Sequence, residues 1–77
     1  MRTKPSRASS RFSAELSAKL GSMREQKGMT QGELAEEAGI DRKTINRIEN
    51  GHFSPSMDTF FRICGALGTT PVKFLGK

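Results

Sequence analysis

Hydrophobic residues recur at helical spacing along the chain, and glycines separate the stretches. The first stripe consists of Phe12, Leu16, Leu20 and Met23. At about 100° per residue, these positions fall within roughly 80° of one another, which predicts one buried helix face beginning at Phe12. Glycines at 28, 39, 51 and 68 each follow a helical stretch, and glycine is common just beyond a helix C-terminus.

Residues with capping chemistry precede the later stretches. Thr30 and Glu33 have the form of a capping box, and Asp41 and Ser56 are predicted N-caps. Thr70-Pro71 opens a last short turn, with proline at the first helical position. No period-two alternation competes with this pattern. The sequence therefore predicts an all-α domain of five helices, in which the second and third form a tight pair.

The third predicted helix, residues 42–50, carries its polar side chains on one side. These side chains are Arg42, Lys43, Asn46, Arg47 and Asn50. They fall within an arc of roughly 140°, whereas Ile45 and Ile48 point the other way. A helix that buries two isoleucines and presents cations and carboxamides is suited to an anionic surface such as the edge of a nucleic-acid groove.

Charge is concentrated at the N-terminus. The chain of 77 residues has 13 Lys and Arg, 8 Asp and Glu, and a formal net charge of +5. Four of the cations lie in residues 1–12, which contain no acid: Arg2, Lys4, Arg7 and Arg11. We predict that residues 1–10 are a flexible basic arm and residues 11–77 the folded domain. The arm either contacts nucleic acid or is a solvated tail.

Several classes of protein are disfavoured by the sequence. A single cysteine, Cys64, excludes an internal disulfide, and its place in an apolar stripe predicts a buried, reduced thiol. No apolar run suits a membrane span or a secretory signal, so a cytoplasmic, nucleoid-associated protein is expected. Phosphate-binding loops, nucleophile motifs and metal-ligand spacing around His52 are not found, so no enzyme, cofactor or metal is expected.

The segment TQGELAEEAGIDRKTINRIENG resembles the helix-turn-helix of the lambda-repressor-like family, also called the Cro or xenobiotic-response-element family. The similarity extends from about residue 16 to 75 and includes REQKGMTQ before the segment and the apolar helix ending in ALG. This resemblance implies that the helix at about 42–50 enters the major groove of double-stranded DNA.

The resemblance also implies roles for individual residues. Expected to contact bases are Arg42, Lys43, Asn46 and Arg47. Expected to contact phosphates are Thr30, Gln31, Thr44, Asn50 and His52. The resemblance also implies that Gln31 braces the recognition helix. Phosphate contact is the alternative for all four of the expected base-contact residues. Base contact is the alternative for Thr44, and an exposed loop position without a DNA contact is the alternative for His52. Arg24 and Glu49 are expected to form a structural ion pair between the first and third helices.

Two surfaces have open interpretations. Acidic residues at 33, 36 and 37 form either a solvated face or a partner site. Phe61, or Phe74 with Val72, forms either a small dimer patch or part of the core. Because one small helix-turn-helix makes few base contacts, we expect a homodimer on a palindromic operator with half-sites about 10 base pairs apart.

The predicted function is therefore a sequence-specific transcriptional regulator of repressor or controller type, prokaryotic or from a phage. Because the chain ends just after the fifth predicted helix, we expect control by protein concentration rather than by an effector domain. The alternatives are an antitoxin that binds a toxin partner and autoregulates its operon, and a protein-interaction module with the same fold.

Overall fold

The computed structural model describes the backbone of residues 7–76 and the side chains of residues 13–76. The described residues form five helices and no strand. In chain order these are α1 (Arg7–Gln26), α2 (Gln31–Ala38), α3 (Arg42–Glu49), α4 (Met57–Ala66) and α5 (Pro71–Leu75). The predicted all-α, five-helix fold is confirmed. Within the described part of the chain, no helix is long and apolar enough to cross a bilayer.

One hydrophobic core joins all five helices. Its buried members are Leu16, Leu20, Leu34, Ala35, Ala38, Ile45, Ile48, Phe60, Ile63, Cys64, Leu67 and Phe74. Leu16 and Leu20 continue the predicted stripe of α1, while the Phe12 side chain lies outside the described residues. Burial raises the pKa of the Cys64 thiol, because a thiolate loses solvation in an apolar environment. The core therefore orients α3 by its two isoleucines and leaves its opposite side exposed.

The helix ends follow the predicted capping chemistry with one exception. Thr30 accepts a hydrogen bond from the Glu33 backbone N–H, and Glu33 accepts one from the Thr30 N–H, which completes the capping box. Ser56 and Thr70 also cap their helices through their side chains. Asp41 lies at the N-cap of α3, but its side chain accepts no hydrogen bond from the α3 backbone. The predicted N-cap position of Asp41 is confirmed, but its carboxylate does not make the capping hydrogen bond.

The start of α1 differs from the sequence prediction. The helix begins at Arg7, five residues before the periodicity that starts at Phe12. Arg7–Ser10 contain no large apolar side chain, so hydrophobic periodicity gives no signal there, and the helix continues outward from its packed part. Residues 1–6 of the predicted arm lie outside the described residues, and the arm's flexibility stays a prediction.

Helix α5 is held by packing and by a lysine from α1. Phe74 packs edge-on against Phe60, with ring centroids 5.4 Å apart, and is only 2% exposed. Lys19 Nζ donates to the Phe74 carbonyl over 2.9 Å, near the C-terminal end of α5. The alternative of a dimer patch that includes Phe74 is therefore wrong, because its ring completes the core of one protomer.

Candidate nucleic-acid interface

Helices α2 and α3 pack closely because the residues between them are small or flexible. Ala35 and Ala38 are buried on the inner face of α2, where larger side chains would separate the helices. Gly39 has φ +70°, a left-handed conformation that a side chain disfavours, and it ends α2. After only three residues outside the two helices, α3 begins at Arg42. A short helix, a tight turn and a second helix are thus in place.

The polar face of α3 is exposed as predicted. Ile45 and Ile48 are 0% and 1% exposed and attach the helix to the core. On the other side, a shallow concavity is lined by Arg42, Lys43, Asn46 and Arg47. Three cations and an amide converge there within two helical turns. This surface offers hydrogen-bond donors to an anionic or acceptor-rich partner.

The residues expected to contact phosphates lie around α3. Thr30 and Gln31 are at the N-terminus of α2, Thr44 is half-buried on α3, and Asn50 is the C-cap of α3. His52 is exposed two residues further on. Gln31 is hydrogen-bonded to Asn46 of α3, and Thr30 precedes it in the chain. Thr44, Asn50 and His52 lie on α3 or within three residues of its end.

Arg24 and Glu49 form an ion pair that joins α1 to α3. Arg24 Nε donates to Glu49 Oε2 over 2.7 Å, and a second guanidinium nitrogen donates to Oε1 over 3.1 Å. The side chains are only 13% and 11% exposed. These hydrogen bonds to the carboxylate raise the pKa of Arg24, although burial opposes the shift. A third donation, 2.7 Å long to the Met29 carbonyl, also ties Arg24 to the segment before α2.

A chain of hydrogen bonds leads from this ion pair to the α3 polar face. Gln31 Nε2 donates to Glu49 Oε1 over 3.0 Å, Asn46 Nδ2 donates to Gln31 Oε1 over 3.3 Å, and Asn50 Nδ2 donates to Asn46 Oδ1 over 3.1 Å. We call Gln31, Asn46 and Asn50 the amide chain. The resemblance implied that Gln31 braces the recognition helix, and the i, i+4 spacing of the two asparagines gave a second signal. The individual hydrogen bonds of the chain were not predicted.

Ser17 is a further contact that the sequence analysis missed. Its hydroxyl donates to the Ile48 carbonyl over 3.0 Å, in the last turn of α3. Because Ser17 lies between the apolar positions of α1, its sequence context gives no sign of a role in positioning α3. Together with Arg24, this serine attaches the C-terminal end of α3 to α1.

The remaining predicted residues lie away from the α3 polar face. Glu33, Glu36 and Glu37 are exposed on the outer face of α2. Phe61 and Val72 are 51% and 81% exposed, and Met57 and Leu75 are exposed on the same two helices without having been predicted. We refer to these four exposed apolar residues of α4 and α5, Met57, Phe61, Val72 and Leu75, as the apolar patch. Of the arm residues, Arg2 and Lys4 lie outside the described residues, as do the side chains of Arg7 and Arg11.

The paired α2 and α3 helices, their glycine turn and the one-sided cationic face define a helix-turn-helix domain. A profile of the HTH_3 helix-turn-helix family matches residues 20–74. The chain belongs to this family, whose members are regulators of the xenobiotic-response-element and lambda-repressor-like type. The resemblance stated from the sequence is confirmed.

Individual relatives agree with this assignment. The chain is 49% identical over 45 residues to an uncharacterised HTH-type transcriptional regulator of Methanothermobacter thermautotrophicus, covering 58% of this chain and 65% of the relative. It is 44% identical over 45 residues to the antitoxin HipB of Escherichia coli O6:H1, covering 58% of this chain and 48% of the relative. Both matches span less than two thirds of the relative's length.

A solved structure extends the likeness to nearly the whole fold. The restriction-modification controller protein C.Esp1396I, solved as a tetramer with its natural 35 base-pair operator, is 28% identical with a TM-score of 0.77. The alignment covers 82% of this chain and 83% of that one.

Proposed function

We propose that this protein is a sequence-specific transcriptional regulator that binds operator DNA as a homodimer, with α3 in the major groove. The α3 polar face carries the proposal: three cations and Asn46 are exposed on a helix whose opposite side is buried, and Asn50 is exposed at its C-cap. B-DNA's major groove admits such a helix, and its base edges present acceptors to arginine and lysine. The activity proposed is binding rather than catalysis, in the cytoplasm at the nucleoid.

Roles within the interface follow from chemistry and position. Arg42 and Arg47 have rigid donor forks that match guanine O6 and N7, and we assign them to base contact. Lys43, a mobile point charge, contacts a base or a neighbouring phosphate. Around this face, we assign Thr30, Gln31, Thr44, Asn50 and His52 to the DNA backbone. Their contacts set the register of α3 without carrying sequence information.

Selection from a random DNA pool tests this function. Wild-type protein should enrich a palindromic motif, and Arg47→Ala should lose preference at one position of each half-site, by about tenfold. Arg62→Ala is the matched control, because Arg62 is an exposed arginine on α4 outside the α3 polar face. It should keep the motif. Salt-sensitive binding without any motif would contradict sequence-specific regulation.

The homodimer is proposed to form through the apolar patch. Met57 and Phe61 lie one helical turn apart on α4, and Val72 and Leu75 lie one turn apart on α5. All four are exposed, and α4 and α5 contact each other in the fold. Self-association would bury the patch and present two α3 helices to successive half-sites.

A second candidate function is that of an antitoxin. The similarity to the antitoxin HipB supports it, and a toxin would then be a partner in addition to DNA. Co-purification with the product of an adjacent gene, together with relief of that product's toxicity, would favour this role. A pure protein-interaction module is less well supported, because such a module has no need of the cations on α3.

A further inference from the structure

We propose that Asn46 reads an adenine in each half-site, and that Glu49, acting through Gln31, sets the orientation in which Asn46 meets the base. Asn46 is then a specificity-determining residue, while Gln31 and Glu49 are positioning residues. This inference rests on the proposed DNA-binding function and adds the base and the mechanism of its selection.

The argument begins at the buried end of the amide chain. Because a carboxylate only accepts hydrogen bonds, Glu49 determines which end of the Gln31 amide faces it. A second amide in place of Glu49 could either donate or accept, and would leave that orientation undetermined. Gln31 has to present its NH₂ group to Glu49 Oε1, 3.0 Å away. The Glu49 carboxylate is itself held by two donations from Arg24 and is 11% exposed. Glu49, at the buried end of the amide chain, is therefore held in place by a charged partner.

From Glu49 toward the surface, the orientation of each amide determines the orientation of the next. With its NH₂ group toward Glu49, Gln31 turns its carbonyl oxygen to the exposed side, where only a donor can meet it. Asn46 supplies that donor through Nδ2, and its own Oδ1 accepts from Asn50. Reversing the Asn46 amide would set oxygen against oxygen and nitrogen against nitrogen. The Asn46 orientation is thus a consequence of the charge on Glu49, two hydrogen bonds away.

The Asn46 amide keeps half of its hydrogen-bonding capacity for a partner. An asparagine amide has two N–H donors and two acceptor lone pairs. One donor is used toward Gln31 and one lone pair toward Asn50, which leaves one donor and one acceptor on the Asn46 amide. Asn46 lines the concavity together with the cations. Adenine presents the complementary pair in the major groove, an N7 acceptor and an N6 donor, and asparagine bonds both.

Position-resolved DNA selection tests both claims, that Asn46 reads adenine and that Gln31 positions Asn46. Wild type should show an adenine in each half-site, and Asn46→Ala should reduce that preference alone by about tenfold. Gln31→Ala keeps the Arg24–Glu49 pair and should reduce the same preference by about threefold. Gln26→Ala is the matched control, a glutamine in the last turn of α1 outside the amide chain. Circular dichroism confirms that each variant is folded.

The outcomes separate this inference from the proposed function. A uniform loss of affinity in Asn46→Ala, with the motif intact, would overturn base reading by Asn46. Another base at the affected position would overturn the assignment to adenine. An unchanged motif in Gln31→Ala would overturn the positioning role. If wild type enriches no motif, the regulator function fails, and adenine reading fails with it.

A measurement on the protein without DNA tests independently whether orientation is transmitted along the amide chain. In ¹H–¹⁵N spectra, Gln31→Ala should move the side-chain NH₂ signals of Asn46 and of Asn50, although Asn50 is bonded to Asn46 and not to Gln31. Gln26→Ala should leave both at their wild-type positions. Asn50 signals unchanged by Gln31→Ala would show that no orientation is transmitted along the chain.

Discussion

At the scale of single residues, Arg24 links three parts of the molecule. It belongs to α1, pairs with Glu49 at the end of α3, and donates to the Met29 carbonyl just before α2. A guanidinium fork can satisfy two carboxylate oxygens and a carbonyl at once, whereas an ammonium group lacks this planar geometry. Removing it leaves the largely buried Glu49 carboxylate without its charge partner, which is costly because no other cation among the described side chains pairs with it.

We therefore expect Arg24→Met to lower the free energy of unfolding by about 3 kcal/mol, measured by urea denaturation. The control is Arg62→Met, which breaks the exposed i, i+4 pair with Asp58. Those side chains are 51% and 77% exposed, so water screens their attraction and the change should stay under about 0.5 kcal/mol. Equal losses in the two variants would contradict a special role for Arg24.

At the scale of elements, the two helices of the motif begin differently. The Thr30 hydroxyl caps α2, while the Asp41 carboxylate contributes only its charge near the start of α3. Thr30→Ala should cost about 1 kcal/mol through the lost cap. Asp41→Ala should cost only about 0.3 kcal/mol, through the helix dipole. Thermal unfolding of both variants shows which substitution costs more stability. A larger loss of stability in Asp41→Ala than in Thr30→Ala would contradict this expectation.

Much of the element structure was predictable because its causes are local. Caps and glycines lie next to the helices they end, so α2 to α5 followed from sequence. Burial of Phe74 did not, since it depends on the Phe60 ring 14 residues away in sequence. For the site, the polar face of α3 follows from helical spacing, but the Gln31–Asn46 bond joins residues on different helices. Such a bond needs the packing of α2 on α3 to be known.

At the scale of the whole molecule, substitutions of Phe61 and Phe74 test the proposed dimer and the stability of the fold independently. Phe74→Ala would leave a cavity beside Phe60 and should cost about 4 kcal/mol of stability. Phe61→Ala removes an exposed ring, so stability at low protein concentration should change by less than about 0.5 kcal/mol. Sedimentation equilibrium should instead show weaker dimerisation for Phe61→Ala. Dimerisation equal to wild type would exclude Phe61 from the interface.

The basic arm is also tested on the whole complex. If Arg2 and Lys4 neutralise phosphates, replacing both with glutamine should reduce the slope of log K against log salt concentration by about two units per arm. Sequence preference should be nearly unchanged, because phosphate contacts do not specify bases. Lys73→Gln on α5 is the control for lost charge alone. An unchanged slope would show that Arg2 and Lys4 neutralise no phosphate.

The unequal attachment of α3 has a consequence for its motion. Its last turn is held by Ser17 and by the Arg24–Glu49 pair, whereas its first turn has no side-chain cap from Asp41. Local opening should begin at the first turn, so the Ile45 amide should exchange with deuterium faster than the Glu49 amide. The N-terminal residues of a recognition helix are those that contact bases. In the proposed complex, α3 would therefore approach DNA in a fixed direction, while its first turn, which carries Arg42 and Lys43, would adjust to the base pairs it meets.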